Sequence, residues 1–263
     1  MTQQVDLIIS AIDDNSKDPN IHLYSCNKKV ALSVTTVLGL LTPEGLLNWF
    51  KALPLDKINL ISDKARIQGK EVHKLFEDIL NNKLNIDIPM KYSKIANSFK
   101  EYIKKQVDLK VLGTEVSVFH ERYGYAGTVD AIVSNNGNIE IWDYKTSKKR
   151  LHSGRLVHKV TEKMGWQLGG YKLAIEDYKV LGIDKVDGMK IINCNPLIGT
   201  VKETTYVHFD FCVNAFLQAL NTYKWHYFNL LSKKGLKDFK TGKVYKWEIE
   251  DLLFDTSKDF MLR

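Results

Sequence analysis

Asn136-Gly137 lies between two runs rich in β-branched and aromatic residues, 125–133 and 139–146. No other feature constrains this chain as tightly. An Asn-Gly pair flanked by such runs is the strongest short hairpin signal, because both turn residues accept the positive φ a tight turn needs. With that turn, Asn135 pairs with Asn138. Stepping outward then places Asp130 opposite Asp143 and Thr128 opposite Lys145, and Lys145 shares a strand face with Asp143.

Two carboxylates about 5 Å apart on one sheet face repel each other. The pair requires a cation, a shared proton or an ammonium. A divalent metal meets the requirement best, and an oxygen-rich site favours Mg²⁺ or Mn²⁺. Such a site activates water and neutralises phosphate. A one-residue slip would send the two carboxylates to opposite faces, leaving a solvated hairpin.

Around the hairpin the period changes. Thr42-Pro43 reads as a helix start for residues 44–53, after the apolar run at 32–41. Further helices are expected over 62–81, 93–106, 161–180 and 214–233, and strands over 114–120, 189–194 and 204–211. Val72, Leu75, Phe76, Ile79 and Leu80 mark the buried stripe of the second helix. The sum is a mixed α/β chain whose sheet is covered by helices.

Composition narrows the partners. Lys plus Arg number 38 against 31 Asp plus Glu, a net charge of +7 that suits a polyanion. No run of about 18 apolar residues suggests a membrane span. The early Asp6, Asp13, Asp14 and Asp18 argue against a targeting peptide. Cys26, Cys194 and Cys212 form no CxxC, so a reduced, cytoplasmic protein is expected, in a bacterial or phage-infected host cell. At 263 residues with no linker or repeat, the chain reads as one domain.

Several residues bear on the carboxylate pair. His73 shares a helix face with Gly69 and Glu77, off the apolar stripe, and can face a metal. Gln167 and Tyr171 lie four apart on a later helix, with Gly169 and Gly170 between them permitting close packing. Between Lys145 and that helix, Lys148, Lys149, Arg150, Arg155, Lys159 and Lys163 meet a single acid, Glu162. A basic segment beside a carboxylate site suits a phosphate backbone. Glu115, in the strand before the hairpin, offers another ligand or a supporting contact.

In order, these residues resemble the PD-(D/E)xK nuclease superfamily in its RecB-like branch, which shows a helical His, a GxxD strand, a DxK strand and a QxxxY helix. Here they are His73, Gly127 to Asp130, Asp143 to Lys145, and Gln167 to Tyr171. LSVTTVL and RIQGKEVHKLFEDIL resemble phage exonucleases and the mitochondrial genome maintenance exonuclease. The resemblance implies a restriction-endonuclease-like central mixed β-sheet flanked by helices, with a helical elaboration before the core. It implies His73, Asp130, Asp143 and the Tyr144 carbonyl as metal ligands, with Lys145 positioning or polarising the attacking water. It implies Gln167 and Tyr171 as shaping the site and contacting DNA, and Ser33, Thr35 and Thr36 as meeting a phosphate. A strand-threading arch is expected in residues 40–110, the catalytic core in 111–212, and a C-terminal helix with a basic tail in 213–263. With three cysteines, no iron–sulfur cluster is expected, and Gly242-Lys243 lacks the glycine loop of a helicase motor.

The expected activity is a Mg²⁺- or Mn²⁺-dependent DNA exonuclease acting on single-stranded ends in replication, repair or recombination, alongside other proteins of those processes. Two alternatives stand beside it. One is a structure-selective flap endonuclease. The other is a non-catalytic single-stranded DNA-binding module that uses Tyr, Trp and Lys.

Overall fold

The computed structural model describes residues 6–11, 21–26, 29–41, 48, 51–147, 149–150, 156–229, 236–238 and 244–245. Its strands are β1 (Asp6–Ala11), β2 (Ile21–Cys26), β3 (Lys29–Ser33), β4 (Lys110–His120), β5 (Tyr125–Asn135), β6 (Asn138–Thr146), β7 (Lys149–Arg150), β8 (Leu156–Val157), β9 (Gly188–Asn195), β10 (Thr200–Tyr206), β11 (Leu236–Asp238) and β12 (Val244–Tyr245). The α-helices are α1 (Val34–Gly39), α2 (Leu55–Leu80), α3 (Ser93–Lys104), α4 (Glu162–Asp177) and α5 (Phe209–Asn229). Ten strands form one mixed sheet in the order β10-β9-β6-β5-β3-β2-β1-β11-β12, with β4 also on β5, and β7 pairs with β8 apart from it. This is the helix-flanked mixed sheet of the restriction-endonuclease-like class. Among the described residues no helix is long and apolar enough to cross a membrane.

The hairpin folds as its turn dictates. Asn136 and Gly137 both take positive φ, and β5 pairs with β6 from Asn135↔Asn138 out to Ala131↔Trp142. There the ladder stops, one step short of Asp130 and Asp143. The same edge of β5 is taken up again only at Tyr125 and Ala126, which pair with β3 in parallel. Gly127, Thr128, Val129 and Asp130 therefore have no ladder partner on that edge among the described strands, while β4 pairs along the other. The expected Thr128–Lys145 pair does not form; Thr128 pairs only on the opposite edge, with Ser117 of β4. β6 continues in parallel against β9, with Asp143 beside Ile191 and Lys145 beside Asn193.

Alternation splits the apolar residues between two sides. Ala131, Val133, Trp142, Tyr144, Ile192 and Cys194 face α2 and α3. There Phe76 stacks on Phe99 with ring centroids 3.9 Å apart. Ile132, Ile141, Met189 and Ile191 face α4 and α5, and Val129 packs with them although it is out of phase with Ile132. Those two helices lie close because Gly169 has no Cβ; one built there would come within 2.5 Å of the Cys212 carbonyl carbon.

Several boundaries differ from expectation. α2 begins at Leu55 rather than near Ser62, since Pro54 opens it with extended backbone. The apolar run at 32–41 leaves β3 at Ser33 and turns into α1. The strand expected over 204–211 is β10, which starts earlier because Asn195 and Gly199 close a turn (Gly199 N–H to Asn195 C=O, 2.9 Å) and which yields to α5 at Phe209. Of the helix expected over 44–53 only 48 and 51–53 are described, with 48, 51 and 52 helical, and much of the basic tail lies outside the described residues.

Candidate active site

The gap on the edge of β5 is where the expected residues meet. Asp130 turns its carboxylate into the fork between β5 and β6, and Oδ2 accepts the backbone N–H of Tyr144 at 2.6 Å. That bond takes the place of the next ladder rung. Oδ1 lies 3.3 Å from His73 Nδ1 on α2. Asp143 Oδ1 accepts a hydrogen bond of 2.7 Å from Gln167 Nε2, and Lys145 Nζ lies in ionic contact with Oδ2. Oδ2 has no hydrogen-bond donor of regular geometry beyond that contact. Gln167 also bonds the Tyr171 hydroxyl at 3.0 Å.

Tyr171 fits because position 127 is glycine: a Cβ there would come within 2.5 Å of Tyr171 Cε1. The GxxD and QxxxY spacings are thus one packing unit. Gly127 admits the Tyr171 ring, Tyr171 steadies Gln167, and Gln167 orients Asp143. Tyr171 is 3% exposed, so it reaches the site through Gln167, and the surface contact with DNA expected of it is not available to its buried ring.

Glu115 completes the cluster. In register it falls opposite Asp130, between Thr114↔Ala131 and Val116↔Val129, and its φ of 50° turns it out of the β4 ladder. A left-handed conformation is uncommon for a residue carrying a Cβ, and such strain concentrates at functional sites. One ligand atom each from His73, Glu115 and Asp130 lie within 4.8 Å of one another. Gly69, Glu77, Arg66 and Lys70 line the same open cleft.

The electrostatics follow from burial and proximity. Asp143 is 2% exposed. Its carboxyl is pushed up to about 6, chiefly by burial and further by Asp130, against the pull of Lys145. Burial acts the same way on Asp130, but the hydrogen bond and charge of His73 outweigh it and hold the group below the ordinary range. His73 is raised: burial opposes its charge, and Asp130 and Asp143 together prevail. Glu115 is raised by burial and then by Asp130. Asp130 and Asp143 are thus relieved here by His73 and by the Lys145 ammonium. One imidazole nitrogen beside carboxylate oxygens in an open cleft also fits a hard divalent cation.

Other expected residues sit apart or incompletely in view. Ser33 is buried at the end of β3, and its hydroxyl lies 2.8 Å from that of Thr35. Thr36 is half-buried on α1. Tyr144 sends its ring into the α2–α3 core, its edge against His73. Lys148, Arg155 and the side chains of Lys149 and Arg150 lie outside the described residues. Sequence reasoning passed over Tyr24, whose hydroxyl lies 3.3 Å from Thr128 Oγ1 beside the gap. It also passed over Asn193, although a polar residue inside the apolar run at 189–194 is a readable anomaly.

Residues 89–206 match the family model of the PD-(D/E)XK nuclease superfamily, a stretch that includes Asp130, Asp143, Lys145, Gln167 and Tyr171. Over that stretch, somewhat under half of its length, the chain is similar to this nuclease superfamily. No curated protein matches the sequence. Among solved structures, SSO0001 is similar at 13% identity and a TM-score of 0.39, over 74% of this chain and 80% of that one. A protein named "Putative exonuclease" from Eubacterium rectale is similar at 13% identity and a TM-score of 0.40, over 63% of this chain and 66% of that one.

Proposed function

We propose that the protein is a Mg²⁺- or Mn²⁺-dependent DNA exonuclease acting on single-stranded ends, in replication, repair or recombination. The observation that carries the reading is the gap in the sheet edge, where Asp130, His73 and Glu115 converge beside the Asp143–Lys145 pair. His73, Asp130, Glu115 and Asp143, with the Tyr144 carbonyl, would hold the metal. When bound, the metal supplies charge neutralisation at the scissile phosphate and activation of water.

The chain's own residues do the rest. Asp130 keeps the fork open by capturing the Tyr144 N–H. Gln167 fixes the rotamer of Asp143, and Asp143 in turn holds Lys145 at the site. The Lys145 ammonium donates to the attacking water and offsets negative charge as it grows on the phosphate oxygens. Arg66 and Lys70 line the cleft on the same side of α2 as His73 and mark where the strand approaches. The N-terminal half of α2, well exposed at Leu60, Ile61 and Ile67, fits the strand-guiding part placed in residues 40–110.

The test is a degradation time course on end-labelled linear oligonucleotides of both polarities, on end-blocked versions, and on circular single-stranded DNA, with Mg²⁺, Mn²⁺ or EDTA. Stepwise shortening of free ends with circles left intact is expected. Cut circles would replace this reading with an endonuclease. Binding without cleavage in either metal would replace it with a binding module.

A further inference from the structure

Lys163 stands in the first turn of α4, in phase with Gln167 and Tyr171 at successive four-residue steps. Gln167 is bonded to Asp143, so this face of α4 is the one turned to the site. Lys163 lies about 6 Å along the helix from Gln167, one turn toward the N-terminus. Lys145 lies a similar distance from Asp143 along β6, toward its C-terminal end.

A buried network fixes which end of α4 meets that end of β6. Asn193 is fully buried beside Lys145 in the β6–β9 ladder. It donates to the Lys159 carbonyl at 2.7 Å and accepts from the Ser147 hydroxyl at 2.9 Å. Ser147 Oγ in turn accepts the Lys159 N–H at 3.0 Å. His158 spans from Asn193 to Thr200, and the Thr161 carbonyl accepts the Tyr206 hydroxyl at 2.6 Å. The segment entering α4 is therefore bonded to the end of β6 and to β9 and β10, on the Lys145 side of the site, and the first turn of α4 follows it there.

Lys163 is half-buried at this place. Of the other cations around the site, Lys145 has Asp143, Lys74 has Glu77 and Asp78, Arg66 has Asp63, and Lys70 is exposed to solvent. Lys163 has no ion pair or hydrogen bond among the described residues. Burial alone draws its ammonium below the usual lysine range, with no neighbouring charge contributing. A partly desolvated cation without a counter-charge, beside a phosphodiester site, is arranged for an anion that arrives with the substrate.

We propose that Lys163 is a substrate-binding residue whose ammonium contacts a non-bridging oxygen of the DNA backbone phosphate next to the scissile one. The inference rests on the nuclease reading above. It assigns Lys163 to binding along the strand, and it leaves hydrolysis to Lys145 and the carboxylates.

The experiment compares wild type, Lys163→Met, Lys163→Gln and Lys163→Arg. Binding of a labelled oligothymidylate and of a mixed-sequence oligonucleotide is measured in EDTA across a salt series, and steady-state cleavage is measured in Mn²⁺. Lys163→Met and Lys163→Gln are expected to weaken binding equally on both sequences. They should also flatten the dependence of log Kd on log salt by about 0.7, the loss of one single-strand phosphate contact. KM rises, kcat stays near wild type, and Lys163→Arg restores the slope. A wild-type slope and Kd in both neutral variants overturns the proposal, as does weaker binding with an unchanged slope, which marks a structural role. Failure of the wild type to cleave under any divalent condition would instead sink the nuclease reading, while the salt slope still decides whether Lys163 touches a phosphate.

Discussion

Gly127 and Tyr171 are complementary: the ring of one occupies the space where a side chain on the other would stand, with only 2.5 Å between Tyr171 Cε1 and a Cβ at 127. Gly127→Ala is therefore expected to push Tyr171 and Gln167 out of register with Asp143. Overpacking of this kind costs about 1–3 kcal/mol of stability. The activity loss should exceed what that destabilisation explains. Melting curves together with cleavage rates below the melting range check it, and Tyr171→Phe, which keeps the ring and drops only the bond to Gln167, should lose far less.

Asp130→Asn and Lys145→Ala are each expected to abolish cleavage, by at least about 10²-fold, with the fold retained. They should differ in metal binding. In wild type, Mn²⁺ at a hundred times its Kd adds about 3 kcal/mol of stability. Lys145→Ala should keep most of that gain and Asp130→Asn should lose it. Thermal shift across a Mn²⁺ series separates the two, and wild-type-like turnover by either variant would remove the role given to it.

His120 supplies a pH dependence away from the site. It is 1% exposed. Its Nδ1 accepts the Tyr123 N–H, so in the neutral ring Nε2 carries the proton toward Asp177. Burial pushes its pKa down to about 4, with Asp177 opposing. Between about 4 and the unfolded value near 6.5 the unfolded chain binds the extra proton, so this stability is whole above about 6.5 and is lost as pH falls toward 4. The shift corresponds to about 3 kcal/mol. Chemical denaturation at several pH values should show that slope in wild type and a flatter one in His120→Gln.

Gly169→Ala tests the helix pair instead of the chemistry. A methyl at 169 meets backbone of α5 at Cys212 and Val213, which has no rotamer with which to yield. A loss of about 3 kcal/mol is expected. The same exchange at Gly137, where nothing lies within 4 Å, should instead cost only the strain of its φ of 79°. Denaturant midpoints for the two variants give the comparison.

Much of the site was legible because one turn fixed one register. Asn136-Gly137 sets the pairing out to Ala131 and Trp142, and helical spacing alone put Gly69, His73 and Glu77 on one face and Gln167 with Tyr171 on another. The end of the ladder was not legible. Whether Asp130 pairs across from Asp143 or captures the Tyr144 amide depends on β3 and β6 sharing one edge of β5, a long-range relation that no local pattern encodes. The left-handed turn at Glu115 was hidden for the same reason, since nothing about a glutamate announces a positive φ. β1 and β2 were passed over because their short runs sit among acidic residues and find partners only in each other, β3 and the distant β11.

The four residues of β5 left without a partner on one edge have a consequence for how this protein can vary. A seam left open in the middle of a sheet is gripped by rigid strands on every side, so the spacing of its acidic groups depends on the architecture around it. The outer strands, the connecting segments and the ends of the chain can drift freely while that aperture keeps its shape. A change that closes the seam by a single rung would instead silence the protein without unfolding it.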